Sequence, residues 1–250
     1  MRRFFVDRLD ARDGLIRLSP EETRHLSKVL RLGPGDRIEL VAAAGGEAQA
    51  EVVHPGPEAA ILRILEVLPG MAPPRFFFDM ALGLLKAGKM DDLVRSLVEL
   101  GVRKIVPFAA GRSVSRLDEK RAGEKRLRWE KIAREAVKQC GRPDTPEISP
   151  VLTFSDLISL AGGYDLRLAF YEGKRGPATL PGTGEKRPRS VLAVIGPEGG
   201  LTPEEAGTLA GAGFVLAGLG PRILRAETAA LAAGTLVCHH YGDMGSAGED

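Results

Sequence analysis

The stretches VLAVIGPEGGLTPEE (191–205) and GFVLAGLGPRILRAETAALAAGTLVCHH (213–240) decide how this chain folds. Each begins as a short apolar run of strand character, passes through a loop rich in glycine and proline, and enters a segment of helical composition. Gly196, Gly199 and Gly200 punctuate the first loop, Gly218 and Gly220 the second. Strand, loop and helix in that order form the repeating unit of a parallel sheet, whose ligands sit beyond the carboxyl ends of the strands. Glycine lets backbone approach a ligand closely, so a side chain at Gly196 or Gly220 is expected to crowd the loops. Neither loop spells the G-x-G-x-x-G dinucleotide fingerprint or the G-x-x-x-x-G-K-[ST] phosphate loop. The alternative is that both are tight turns holding no ligand.

Upstream the same unit recurs. RFFFDMALGL (75–84) has strand character, 89–100 is an amphipathic helix ended by Gly101, and KIVPFAA (104–110) is the next strand. A strongly periodic helix covers 125–140 and stops at Gly141, and a short helix covers 153–161. LRLAFYE and SVLAVIG are strands, Thr202 caps the helix after the first glycine loop, and the last helix spans 227–241. The expectation is an α/β fold with a mostly parallel sheet and helices on both faces.

The first seventy residues read differently. FFV, LIRL, DRIELVAA, AQAEVV and AAILRILEVL are short strands separated by GPGD, AGG and HPGPE, a spacing that suggests a small β-barrel. Between the first strands, Ser19 caps a helix running to Leu30, with Pro20 in its first position and Glu22 completing a capping box. PGMAPPR (69–75) has linker composition. The expected organisation is a barrel over 1–70, a linker at 71–74, an α/β domain over 75–243 and a frayed tail at 244–250.

Composition excludes several classes. The chain is 250 residues long, 44% hydrophobic and 27% charged, which is globular rather than disordered. No apolar run is long enough to cross a bilayer, and MRRFFVDRLD lacks the apolar core of a signal peptide, so a cytoplasmic protein is expected. Cys140 and Cys238 have no metal spacing and no disulfide framework, and the four histidines form no ligand motif, so no metal is expected. The absence of Asn fits a thermophilic source or a GC-rich genome equally.

Charge is unevenly placed. The net charge of +2 hides eleven Lys or Arg against five Asp or Glu between Arg112 and Arg142, and two against seven from Gly196 onward. A basic helix is either a solvated surface or a contact for nucleic-acid phosphates. In LGPRILRAET, Arg222 and Arg225 stand three apart beside Glu227, and the Ala-rich segment that follows allows close packing or a subunit interface.

These residues carry a resemblance. IGPEGGLTPEE followed by LGPRILRAETA is similar to the signature of the SPOUT class of RNA methyltransferases. HLSKVLRLGPGD (25–36), LLKAGKMDDLVRSLVELGVRKIVPF (84–108) with Arg112 and Ser113, and RWEKIAREAVKQCGRPDTPEI (128–148) extend the match over most of the chain. In that order they resemble the bacterial 16S ribosomal RNA uridine-N3 methyltransferase family. The resemblance implies a C-terminal trefoil knot, which no periodicity argument would propose, and an N-terminal PUA-like RNA-binding barrel. It also implies a homodimer through the knotted domain and S-adenosyl-L-methionine as cofactor. The donor would lie against Ile195, Gly196, Pro197, Glu198, Gly199, Gly200 and Leu201 in the first loop. In the second it would meet Ala217, Gly218, Leu219, Gly220, Pro221, Ile223 and Leu224. The implied substrate is 16S rRNA, in the small (30S) subunit; a tRNA target or a non-catalytic ribosome-assembly factor are the alternatives.

Uridine N3 is a poor nucleophile while protonated, so a cation near O2 or O4 would stabilise the developing anion. Arg225 is the first candidate and Arg222 the second. Glu227 could orient either arginine or act as a base, although a helix N-terminus lowers a carboxylate's pKa; Arg225 and Glu227 could also be structural partners. Glu198 either contacts the donor or orders the knot through backbone N–H groups. RNA phosphates would meet Arg2, Arg3, Arg24, Lys28 and Arg31 in the barrel. Elsewhere they would meet Lys86, Lys89, Arg95, Arg112, Arg116, Arg134, Lys138 and Arg142; such contacts position RNA without specifying sequence. His25 could pack or stack on a base, and Trp129 is expected in the core rather than against RNA.

Overall fold

A computed structural model describes residues 2–9, 14–42, 46–68, 76–86, 88–112, 118–142, 144–176, 180–182, 187–242 and 244. Arg116, the 71–74 linker and all of the tail except Met244 lie outside the described residues. The chain divides into two units: residues 1–73 with 137–145, and residues 74–136 with 146–250.

The N-terminal unit is built on five strands: β1 (Arg3–Val6), β2 (Leu15–Arg17), β3 (Arg37–Ala42), β4 (Glu47–His54) and β5 (Ile61–Leu68). They form one curled, barrel-like sheet in the order β1-β3-β4-β5-β2, in which β1 runs parallel to β3 and every other pair is antiparallel. Alternation along β4 turns Ala48, Ala50 and Val52 inward, where they meet Phe4, Ile38, Leu40 and Leu62.

Helix α1 (Pro20–Arg24) starts where the sequence predicts, with Ser19 Oγ accepting from the Glu22 N–H at 3.2 Å. It then widens into a π-helical turn over His25–Val29. The capping box is only half formed. Glu22 is buried, and its carboxylate takes the Lys138 ammonium at 2.6 Å instead of reaching back to the cap. Arg31 follows the turn with φ of 53°, the left-handed position usually given to glycine, while the Leu32 N–H returns to the Leu26 carbonyl at 3.0 Å. His25 packs edge-on against Phe4, with centroids 5.9 Å apart.

The larger unit carries β6 (Phe77–Gly83), β7 (Lys104–Ala109), β8 (Glu147–Ile148), β9 (Leu152–Thr153), β10 (Leu166–Phe170), β11 (Ser190–Ile195) and β12 (Val215–Ala217). Their sheet has the order β12-β10-β11-β6-β7-β8, with β9 also on β7, and all pairs are parallel. Strands β6 and β11 lie at its centre and are buried along nearly their whole length, apolar except for Asp79 and Ser190, as strands covered on both faces must be.

The helices are α2 (Lys89–Glu99), α3 (Glu119–Cys140), α4 (Phe154–Leu160), α5 (Pro203–Gly211) and α6 (Ala226–Tyr241). Along α2, Met90, Leu93, Val94, Leu97 and Val98 form one buried stripe, and Gly101 ends the helix with φ of 84°. Capping boxes at Thr153 and Thr202 start α4 and α5. Helix α3 begins six residues before the periodic stretch, because its first turns are polar and solvated and leave no apolar signature. Its Trp129 is buried and donates to Asp91 at 3.1 Å, as core packing predicts. No described helix is long and apolar enough to cross a membrane.

One fully buried charge braces the sheet at the end opposite the glycine loops. Asp79 on β6 accepts Arg103 Nε at 2.9 Å and Nη2 at 2.5 Å, and the Tyr164 hydroxyl at 2.6 Å. Burial and the bond to Asp79 push the Tyr164 phenol well above its ordinary range.

Candidate active site

All strands of the larger unit are parallel, so their carboxyl ends share one edge. Segments 195–200, 219–224 and 170–174 converge there on a cavity of about 270 Å3. Its walls are apolar side chains (Phe170, Tyr171, Ile195, Leu219, Ile223, Leu224) interrupted by the bare backbone of Gly196, Gly199, Gly200 and Gly220, with Ala226 and Ala229 of α6 closing one side. Four charged side chains reach it: Glu172, Lys174, Glu198 and Arg222.

The close approaches explain the glycines. A Cβ on Gly196 would stand 2.8 Å from the Gly200 carbonyl carbon and the Leu201 nitrogen. One on Gly200, whose φ is 70°, would collide with the Glu172 carboxylate, and one on Gly218 with the Lys174 carbonyl. A Cβ on Gly83 would run into Pro197. Gly220 differs: its φ of 100° requires glycine, but a Cβ there meets nothing within 4 Å among the described residues. The expected crowding therefore holds at Gly196, while at Gly220 the constraint is backbone conformation.

The sequence-derived donor set divides accordingly. Ile195, Gly196, Pro197, Glu198, Gly199, Gly200, Leu219, Gly220, Ile223 and Leu224 line the cavity. Leu201, Ala217, Gly218 and Pro221 do not. Leu201 is core, Ala217 is buried at the end of β12, and Gly218 serves the crossing over Lys174. The third wall, from Phe170 to Lys174, was missed. Its signal was present, since LRLAFYE is a strand of the same sheet and runs into Gly-Lys at its carboxyl end.

Three contacts hold the first loop from outside. Arg112 Nη1 donates to the Gly199 carbonyl at 2.9 Å and lies 4.0 Å from Glu172. Glu205 accepts the Thr202 N–H at 2.8 Å with one oxygen and the Gly111 N–H at 2.7 Å with the other. Glu198 accepts the Lys86 N–H at 3.0 Å and also faces the cavity.

Arg222 is exposed on the cavity wall, and Arg225 is exposed at the N-cap of α6 outside it. Neither guanidinium makes a hydrogen bond or ion pair with a described residue. Glu227 lies in the first turn of α6 and pairs with Lys89 at 3.2 Å rather than with an arginine. Its own backbone N–H holds its carboxyl below the usual range against partial burial, with Lys89 and Arg225 adding to the effect. A carboxylate so stabilised is a weak proton acceptor.

Several cations expected at a phosphate surface are engaged inside the protein. Lys89 lies between Glu198 and Glu227, Arg112 holds Gly199, and Lys138 is paired with buried Glu22. Arg3 bonds Glu39 at 2.8 Å and the Gly141 carbonyl. Arg95 and Arg142 make local pairs with Asp92 and Asp144. Arg2, Arg24, Lys28, Arg31, Lys86 and Arg134 are exposed and make no ion pair with a described residue. Spacing along a chain cannot distinguish a solvated cation from one whose carboxylate arrives from a distant segment.

The chain matches an RNA methyltransferase domain over residues 73–238 and an RNA methyltransferase PUA domain over residues 18–65. It is 35% identical over 224 residues to the ribosomal RNA small subunit methyltransferase E of Bacillus subtilis, the alignment covering 86% of each chain. The enzyme of the same name from Mycobacterium bovis is 27% identical over 237 residues, covering 92% of this chain and 88% of that one. The crystal structure of ribosomal RNA small subunit methyltransferase E from Neisseria gonorrhoeae, bound to S-adenosyl methionine, superposes with a TM-score of 0.84 at 28% identity, covering 98% of this chain and 99% of that one.

Proposed function

Because the chain belongs to the ribosomal RNA small subunit methyltransferase E family, we propose that it transfers the methyl group of S-adenosylmethionine to N3 of a uridine in 16S ribosomal RNA. The observation that carries the reading is the cavity at the carboxyl edge of the parallel sheet, walled by apolar side chains and exposed glycine backbone. Such a lining suits an adenosine: apolar surface for the base, and glycine backbone that lets its edges come close. The cofactor supplies an electrophilic methyl group on a sulfonium.

The chain's own residues do the rest. Loops 195–200 and 219–224 bind and orient the donor, and Ile195, Leu219 and Leu224 exclude water from it. Arg222, on the wall, and Arg225, three residues on at the cap of α6, supply positive charge where negative charge gathers on the uracil ring as the N3 proton leaves. Glu227 is too acidic to take that proton efficiently, so positioning and charge stabilisation carry the rate.

The reading extends to a trefoil knot, supported by the glycine-only crossing of residue 218 over Lys174 and by the bridge between Gly176 and Gly220. It further includes a homodimer through the knotted domain, the assembled 30S subunit as substrate, and a cytoplasmic location. Arg2, Arg24, Lys28 and Arg31 are the PUA-like unit's contacts to RNA phosphates, and Lys86 and Arg134 are those of the larger unit.

Nucleoside mass mapping of 16S rRNA treated with the purified protein and S-adenosylmethionine tests the proposal. A 3-methyluridine is expected. Methyl groups on a ribose 2′-oxygen, a guanine or a pseudouridine would overturn it.

A further inference from the structure

Lys89, the first residue of α2, joins two segments that the donor loop and the arginines bring to one place. Its ammonium lies 3.2 Å from Glu227 Oε1 on α6 and 3.7 Å from Glu198 Oε1 in the first glycine loop. Glu198 is held in turn by the Lys86 N–H, three residues before Lys89. The second oxygen of each carboxylate is buried and accepts no hydrogen bond among the described residues. Two half-satisfied carboxylates thus share one ammonium, at side-chain exposures of 21% for Glu198, 27% for Glu227 and 38% for Lys89.

We propose that Lys89 is a positioning residue for methyl transfer: it clamps Glu198 of the donor loop to Glu227 of α6 and so fixes the Arg222–Arg225 segment relative to the bound donor. The proposal rests on the reading of those arginines given above. Without the ammonium, two anions on separate segments face each other in a partly desolvated place, where repulsion is weakly screened. The loop is anchored by Lys86 and Arg112, and its Pro197 packs against Gly83, whereas the 222–225 segment has no described side-chain anchor of its own. It is therefore α6's first turn, with Arg225 at its cap, that gives way.

The test compares wild type with Lys89→Met, Lys89→Arg and Glu227→Gln. Single-turnover methyl transfer to small-subunit RNA, RNA KM, and amide hydrogen exchange over residues 222–229 are measured. Lys89→Met is expected to slow transfer about tenfold or more, leave RNA KM within about twofold and speed exchange across 222–229. Lys89→Arg restores the rate to within about threefold, because it returns the cation. Glu227→Gln removes one arm of the clamp without changing its size, and it speeds the same exchange even if Lys89→Met fails to fold. A raised RNA KM with an unchanged rate would make Lys89 a phosphate contact. Unchanged exchange in both Lys89→Met and Glu227→Gln would remove the clamp. A wild type that methylates no uridine overturns the proposed function, while the exchange comparison still decides the clamp.

Discussion

The Tyr164 hydroxyl donates a 2.6 Å hydrogen bond to Asp79, a carboxylate with no solvent exposure, from 85 residues away in the chain. Arg103 supplies the countercharge and bonds both carboxylate oxygens. A buried carboxylate is tolerated only while its oxygens are satisfied.

Tyr164→Phe should therefore destabilise the protein by about 1.5–3 kcal/mol, the range for a bond to a charged group. Arg103→Met should cost about 3 kcal/mol, because it leaves a buried anion unpaired. Urea unfolding reads both. Donor binding measured well below the melting range should be unchanged, since the brace lies at the opposite end of the strands from the cavity.

Arg31 occupies a left-handed backbone conformation that costs a non-glycine residue about 1 kcal/mol. Arg31→Gly should raise stability by about 0.5 kcal/mol, after allowing for the added freedom of the unfolded chain. It should weaken RNA binding and lower its salt dependence by about one phosphate contact. Equal RNA affinity at all salt concentrations would show that the side chain has no such role.

Glu205 satisfies the start of α5 and the Gly111 N–H with its two oxygens, and Arg112 holds the Gly199 carbonyl beside it. Glu205→Ala should cost about 1–2 kcal/mol as a lost cap. It should also weaken S-adenosylmethionine binding, because the segment that carries Arg112 loses its anchor. Arg112→Ala should weaken the same binding by about tenfold with a smaller loss of stability. Calorimetric titration and melting curves separate the two effects, and undiminished affinity in both variants would refute the anchoring role.

The acid limb of stability follows from lowered carboxyl pKa values. Asp165 is held down by the N–H groups of Arg189 and Ser190, and Glu227 by its own N–H and then Lys89. Because the folded values lie below the unfolded ones of about 4, this stability is fully present above pH about 4–5 and is lost as pH falls through the depressed folded values. The melting temperature should drop between pH 5 and 3, and the drop should be shallower in Asp165→Asn. An identical slope in that variant would assign the acid limb to other groups.

What was legible in the sequence was whatever depends on neighbours along the chain. The apolar stripe of α2, the cap at Thr202, and the glycine loops after β11 and β12 all carry local signatures, and the structure has each of them. What was not legible depends on distant partners. Glu22 has the spacing of a capping box, yet the ammonium of Lys138 competes for its carboxylate. Lys89 and Arg112 look like surface cations until the segments around Glu198 and Gly199 fold onto them. The crowding assumed at Gly220 needed a neighbour that is absent among the described residues.

The last turn of α3 groups with the N-terminal strands: Lys138 neutralises Glu22, and Arg3 reaches the carbonyl of Gly141. The first 73 residues are consequently not a module that recombination could lift out whole. Cut free, they would expose an acid that has lost its counterion. A graft from another lineage would have to match a helix encoded more than sixty residues downstream. A boundary between the two units therefore falls inside a helix, between residues 136 and 137, as well as after residue 73.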